Sequence, residues 1–292
     1  MILKNKNLEI QVDLPDENYC MSRFDWTGKI VDVKFQNVQL ASVERTDSIN
    51  KNHFGKGFYN EFGFDKALGF EDAQVGEWFH KIGIGLLKKD DSKYVFNKPY
   101  EIRPAQFNTF SEGNKLIITC KSEAINGYAY LLRKEIELQE SGFLIKYALE
   151  NRGEKDILTD EYVHNFTAVD NELIGANYVL NLPFRLKPEL FYETVNPEQK
   201  VEIGSNTIRF NATPEKDFFF SNLTGGETVN AEWELENHKS KIGIKETGSF
   251  QTNKINLWGW KHVISPELFL SIHVKPGRTI KWSRNFAFYK LN

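Results

Sequence analysis

The chain has 292 residues, a net charge of −3 and basic residues scattered without a dense patch, which removes the electrostatic footprint of a general nucleic-acid binder. Its start, Met1-Ile2-Leu3-Lys4-Asn5-Lys6, lacks the apolar run of a signal peptide, and no segment approaches the length of a membrane span. A cytoplasmic location with no nucleic-acid and no membrane partner is therefore expected. Aromatic residues make up 14% of the sequence, with 23 Phe against two Met, so the core should be built from rings and β-branched side chains, which favour strands. Cys20 and Cys120 are too few for a disulfide framework and stand in no metal-binding spacing, so both read as reduced thiols.

Along the chain, most segments alternate or run apolar and then stop at Gly, Asn or Pro, the signature of strands and turns rather than of helices. The stretch from Lys29 to Val43 reads as an early strand pair. From His53 to Ile84, glycine, aromatics and carboxylates crowd together without a clean period, which suggests a long excursion over a sheet. Leu116 to Ser122 is a strand, and Ala129 to Leu138 with Gly142 to Leu149 form a hairpin around Glu140-Ser141-Gly142. Near the end, Leu268 to Val274 and Thr279 to Tyr289 flank Lys275-Pro276-Gly277-Arg278, where Pro sets φ and Gly supplies permissive geometry, so a closing hairpin is expected. No repeat or linker divides the chain, and one all-β domain is the reading.

Six histidines are present, and their settings separate them. His53 and His238 lie in polar, loop-like sequence, and His262 and His273 among strand residues, where a structural role is the simpler expectation. His80 follows Glu77-Trp78-Phe79 in the irregular stretch. His164 lies between Tyr162 and Phe166, and alternation along a strand places these three on one face, a titratable group within an aromatic surface. No nucleophile elbow, phosphate-cradling loop, zinc helix motif or dinucleotide glycine pattern occurs. An aromatic face with carboxylates suits a sugar, whose C–H faces stack on rings while its hydroxyls need directional partners. Trp26, Trp78, Trp258 and Trp260 are candidate platforms.

The order of these segments resembles the galactose mutarotase-like superfamily, which includes aldose 1-epimerases and hexose-6-phosphate mutarotases. The resemblance is carried by Ser22-Arg23-Phe24-Asp25-Trp26-Thr27-Gly28 with the early strand pair, by Trp78-Phe79-His80-Lys81-Ile82-Gly83, by Tyr162-Val163-His164-Asn165-Phe166, and by Ile264-Ser265-Pro266-Glu267-Leu268 ahead of Pro276-Gly277. It spans almost the whole chain, through short motifs whose order and spacing matter more than any single match. It implies a large antiparallel β-sandwich of the supersandwich type over residues 1–292. It further implies His164 and Glu267 as catalytic residues, with His80 and Asp217 contacting the sugar. The family usually carries a substrate-binding arginine ahead of the first histidine, where this chain reads Lys56-Gly57-Phe58-Tyr59-Asn60-Glu61-Phe62-Gly63. Glu61 or Lys56 would alter hydroxyl recognition, and Arg103 is a candidate substitute.

The implied reaction interconverts the anomers of an aldose by ring opening, rotation about C1–C2 and closure. In this reading Glu267 takes the proton of the anomeric hydroxyl while His164 protonates the ring oxygen, with only modest tuning of either pKa. His80, Asp217 and Trp26 or Trp78 would orient the substrate. No metal and no organic cofactor is expected. The partner is a monosaccharide or a sugar phosphate, and the protein a monomer or homodimer. A carbohydrate-binding protein without turnover is the alternative on the same fold. An accessory β domain of a larger carbohydrate-active enzyme ranks behind both, since no helical catalytic domain accompanies it. In the plainest alternative, His164 is a buried strand histidine and Glu267 a surface carboxylate.

Overall fold

The computed structural model describes residues 1–292 and contains 24 strands and two short 3-10 turns. Two large antiparallel sheets face each other. In the ten-stranded sheet, Thr279–Lys290 lies between Ile242–Thr252 and Gly142–Asn151, which pairs in turn with Tyr130–Gln139. Burial alternates along these strands, so that Phe143, Ile145, Tyr147 and Leu149 of one strand point inward together with Trp282, Phe286 and Phe288 of its neighbour. The facing seven-stranded sheet runs Ile2–Lys4, Leu8–Asp13, Lys29–Phe35, Gly57–Phe62, Ile157–Phe166, Leu270–Val274, with Val38–Gln39 paired to Lys29–Phe35. A cluster of 52 buried residues fills the space between the two sheets, and their burial is the main force holding the sandwich closed. No helix is long and apolar enough to cross a membrane.

The two expected hairpins part company here. Tyr130–Gln139 and Gly142–Asn151 pair residue for residue. Leu270–Val274 and Thr279–Lys290 do not pair with each other: the first joins Ile157–Phe166 and the second joins the opposite sheet. Leu270, Ile272 and Val274 on one strand, and Trp282, Phe286 and Phe288 on the other, all face the same core. Strands that cover one core from opposite sides cannot be neighbours in a sheet, so the turn at Pro276-Gly277 is an arch between layers.

The stretch from His53 to Ile84 also differs from expectation. It contributes Gly57–Phe62 to the middle of the seven-stranded sheet and Trp78–Lys81 to a three-stranded sheet with Gly85–Lys88 and Ile102–Pro104. Every residue of Gly57–Phe62 is buried. A strand covered on both faces has no polar side, and alternation cannot reveal it. One face meets the sandwich core; the other meets a second cluster of 14 residues that includes Tyr59, Phe24, Phe79 and Phe166.

Within the sandwich core lies a buried ionic network with no local sequence signal. Arg284 bonds Glu161 through Nη2 at 2.7 Å and Nε at 3.1 Å, and Glu246 through Nη1 at 2.7 Å. The indoles of Trp282 and Trp233 donate to the same two carboxylates. Lys134 donates to Asn60 and Asp25, and Asn60 donates to Glu161. Charges this deep persist only when each lone pair and proton is matched.

Candidate active site

Two strands present the site. Along Ile157–Phe166, Glu161, Val163 and Asn165 face the sandwich core, leaving Tyr162, His164 and Phe166 on the other side. Val263–Leu268 runs beside it and turns Ser265 and Glu267 to the same side. The two strands are joined by the Thr167–Ile264 bridge. Pro266 has no N–H to continue that ladder, and the Asn165 amide donates to its carbonyl at 2.6 Å instead.

His164 Nε2 and Glu267 Oε1 are 3.2 Å apart, and each residue is only 4% exposed. The His164 Nδ1 atom is 2.6 Å from Ser265 Oγ. Phe166 stacks on the imidazole with centroids 4.0 Å apart, and Trp258 meets it edge-on at 5.5 Å. Asn256 stands directly across from Glu267, and the Asn256 oxygen accepts the Asn222 backbone N–H at 3.0 Å. Burial pushes the Glu267 carboxyl up to about 8; Arg23 opposes this rise and Glu61 adds to it. Burial, then Arg23, holds His164 well below its ordinary range. Near neutrality the shared proton therefore sits on Glu267 and the imidazole is neutral. The tuning is large rather than modest, and its direction favours Glu267 as acid and His164 as base. With Glu267 donating to Nε2, the remaining imidazole proton is on Nδ1 and is given to Ser265 Oγ.

Arg23 lies beside this pair. Its Nη1 bonds Glu44 at 2.9 Å and its Nε bonds Glu61 at 3.0 Å, with Tyr162 Oη at 3.3 Å from Nη2. Tyr162 donates to Glu61 at 2.6 Å, and Lys81 reaches the other Glu61 oxygen at 3.2 Å. Glu44 and Arg23 line a cleft of about 240 Å³ together with Phe24, His53 and Asn97. Phe24, which lines that cleft, also meets the His164 ring edge-on, with centroids 6.1 Å apart.

Of the residues expected at the site, the structure brings His164, Glu267 and Glu61 together, the last beneath Arg23. It does not bring His80 to them. The alternation that turns Lys81 toward Glu61 turns His80 the other way, against Tyr128 and Tyr130. Neither ring nitrogen of His80 has a partner, and burial lowers its pKa to about 4. Trp78 shares that face of the strand and carries the Arg103 guanidinium 4.4 Å above its ring; Arg103 pairs with Glu123 and is no substitute arginine at the site. Trp26 stacks on Phe107 and donates to the Met21 carbonyl, clear of the pair. Asp217 is half-exposed and paired with Arg45 at 3.5 Å, a neighbour of Trp260 rather than of His164. His273, expected as a structural histidine, is exposed and paired with Asp156. Sequence reasoning assigned no site role to Arg23, Glu44, Lys81 or Ser265, although Arg23 stands next to Phe24 in a quoted motif and an arginine among aromatics is a usable signal.

No family model and no curated protein matches the sequence. Solved structures do. An Escherichia coli K12 protein provisionally named an aldose 1-epimerase superposes with a TM-score of 0.62 at 10% identity, covering 99% of this chain and 98% of its own. A galactose mutarotase-like protein from Lactobacillus casei ATCC 334 gives 0.59 at 10% identity with 99% of both chains covered. Another from Clostridium acetobutylicum gives 0.58 at 12% identity, covering 98% of this chain and 100% of its own. The chain thus has the galactose mutarotase-like fold, a large antiparallel β-sandwich.

Proposed function

We propose that this protein interconverts the anomers of an aldose by acid–base ring opening. The observation that carries the reading is the 3.2 Å contact between His164 and Glu267, a shared-proton pair in an aromatic setting beside Arg23. The reaction concerns two oxygens on one carbon, the anomeric hydroxyl and the ring oxygen, so acid and base must lie close together rather than across the ring. Glu267 gives its proton to the ring oxygen as the C1–O bond breaks, and His164 Nε2 takes the proton of the anomeric hydroxyl as the aldehyde forms. After rotation about C1–C2, closure returns both protons. Arg23 stabilises the carboxylate left on Glu267 during the open-chain step, and Ser265 steadies the imidazolium through Nδ1.

Anomer exchange followed by NMR over a panel of aldoses tests this. Glu267→Gln and His164→Ala should each lose about 100-fold or more, the usual contribution of a positioned acid or base. Equal rates in folded parent and variants would refute the assignment. A second reading, sugar binding without turnover, is favoured by the placement of His80 away from the pair. Binding across the panel with no exchange would select it.

A further inference from the structure

The two basic side chains that bond Glu61 beside the pair are already matched to carboxylates of the chain itself. Arg23 is held by Glu44 and Glu61, and Lys81 by Glu61. Farther out, Lys254 bonds Asp65 at 2.7 Å, Lys98 bonds Asp90 at 2.8 Å, and Arg45 bonds Asp47 and Asp217. His53 is exposed at the mouth of the cleft. Arg23 and Lys81 thus face Glu44 and Glu61 charge for charge, and neither cation is free.

Glu44 is fixed in this role by the backbone. One of its oxygens takes the Arg23 bond, and the other accepts the Gly55 N–H at 2.8 Å, tying both ends of the 44–55 segment to the guanidinium. A sugar phosphate brings a charge of about −1.5 to −2. Beside Arg23 its charge meets Glu44 and the fully buried Glu61, which already neutralise the guanidinium, so it must either displace one of them, leaving a carboxylate without its cation, or stand against their like charge. A neutral sugar makes no such demand. Its hydroxyls need only donors and acceptors, which the N–H groups of Arg23 left over from Glu44, Glu61 and Tyr162 and the Asn256 amide offer.

We infer that the site takes an uncharged aldose and discriminates against phosphorylated and carboxylated sugars, with Glu44 as the residue that sets this selectivity. The inference rests on the proposed sugar-handling role of the pair.

The test compares the parent and Glu44→Gln on glucose, galactose and mannose and on their 6-phosphates, with exchange measured by NMR and binding by saturation transfer. The parent should favour at least one neutral aldose over its 6-phosphate by more than about tenfold, since placing like charges together at a site costs at least that factor. Glu44→Gln should narrow the gap by improving the 6-phosphate. Equal or faster exchange of a 6-phosphate by the parent would overturn the inference and leave the epimerase reading standing. Selective binding of a neutral aldose without exchange would uphold the inference and defeat the epimerase reading. Failure to bind or exchange any of the six compounds would defeat both. An unchanged gap in folded Glu44→Gln would remove Glu44 from the account, whereas the parent panel does not depend on any variant folding.

Discussion

Replacing Glu267 by Gln should change how the stability of the protein depends on pH. In the native state the carboxyl titrates near 8, against an ordinary value of 4.5, because burial penalises its charged form. Between these values the folded chain binds a proton that the unfolded chain has released, so unfolding free energy falls as pH rises. A shift of this size integrates to a ceiling of about 5 kcal/mol. Only part of that ceiling falls between pH 5 and pH 8, so about 3 kcal/mol is the expected loss across that window. Burial depresses His164, which works in the opposite direction, lowering stability as pH falls below its ordinary range, and it does so in parent and variant alike. Urea denaturation at pH 5, 6, 7 and 8 isolates the carboxyl: the parent should lose stability relative to Glu267→Gln across the series. Parallel curves would refute the account of Glu267 as a neutral, buried acid.

Arg284→Ala should destabilise the protein by about 3 to 5 kcal/mol, because Glu161 and Glu246 would stay buried without their cation; a loss below about 1 kcal/mol in urea unfolding would show that the network is not holding the sheets together. His80→Leu should leave anomer exchange within about twofold of the parent and stability within about 1.5 kcal/mol, since it removes two unpartnered ring nitrogens and keeps an apolar side chain in place. A large loss of exchange with stability intact would return His80 to the site.

Much of the fold was legible because it rests on alternation. Tyr130–Gln139 and Gly142–Asn151 each present one polar and one apolar face, and the fold neighbours agree with the supersandwich expectation. What escaped was set by contacts between distant segments. Gly57–Phe62 is buried on both sides and has no period to read. The final turn looked like a hairpin because its local chemistry is that of one, and only the shared core face of Leu270–Val274 and Thr279–Lys290 shows that it bridges layers. At the site, alternation placed Tyr162, His164 and Phe166 on one face. The partners of Arg23 lie 21, 38 and 139 residues away, beyond any local pattern. His80 was misplaced for a simple reason: a one-residue choice of face separates it from Lys81, and a motif that contains both does not state which of them looks inward.

The same choice of face gives Asn165 a role distinct from that of its neighbour His164. Its amide donates to Glu246 at 2.9 Å and to the Pro266 carbonyl at 2.6 Å, so it ties the ionic core to the strand that carries Glu267, at the one point where Pro266 prevents a backbone bond. The Asn165 side chain bonds neither member of the pair and acts by fixing the distance between their strands. Asn165→Ala should therefore cost about 1 to 3 kcal/mol of stability for the polar groups left unpaired. It should also lower kcat about tenfold to 100-fold, the effect of a misplacement near 1 Å, with KM changed less than about threefold, because the sugar-facing groups remain. A variant that loses stability while kcat holds would make Asn165 a stabilising residue only. A rise in KM at constant kcat would mean that the strand spacing governs binding of the sugar rather than alignment of the acid and base.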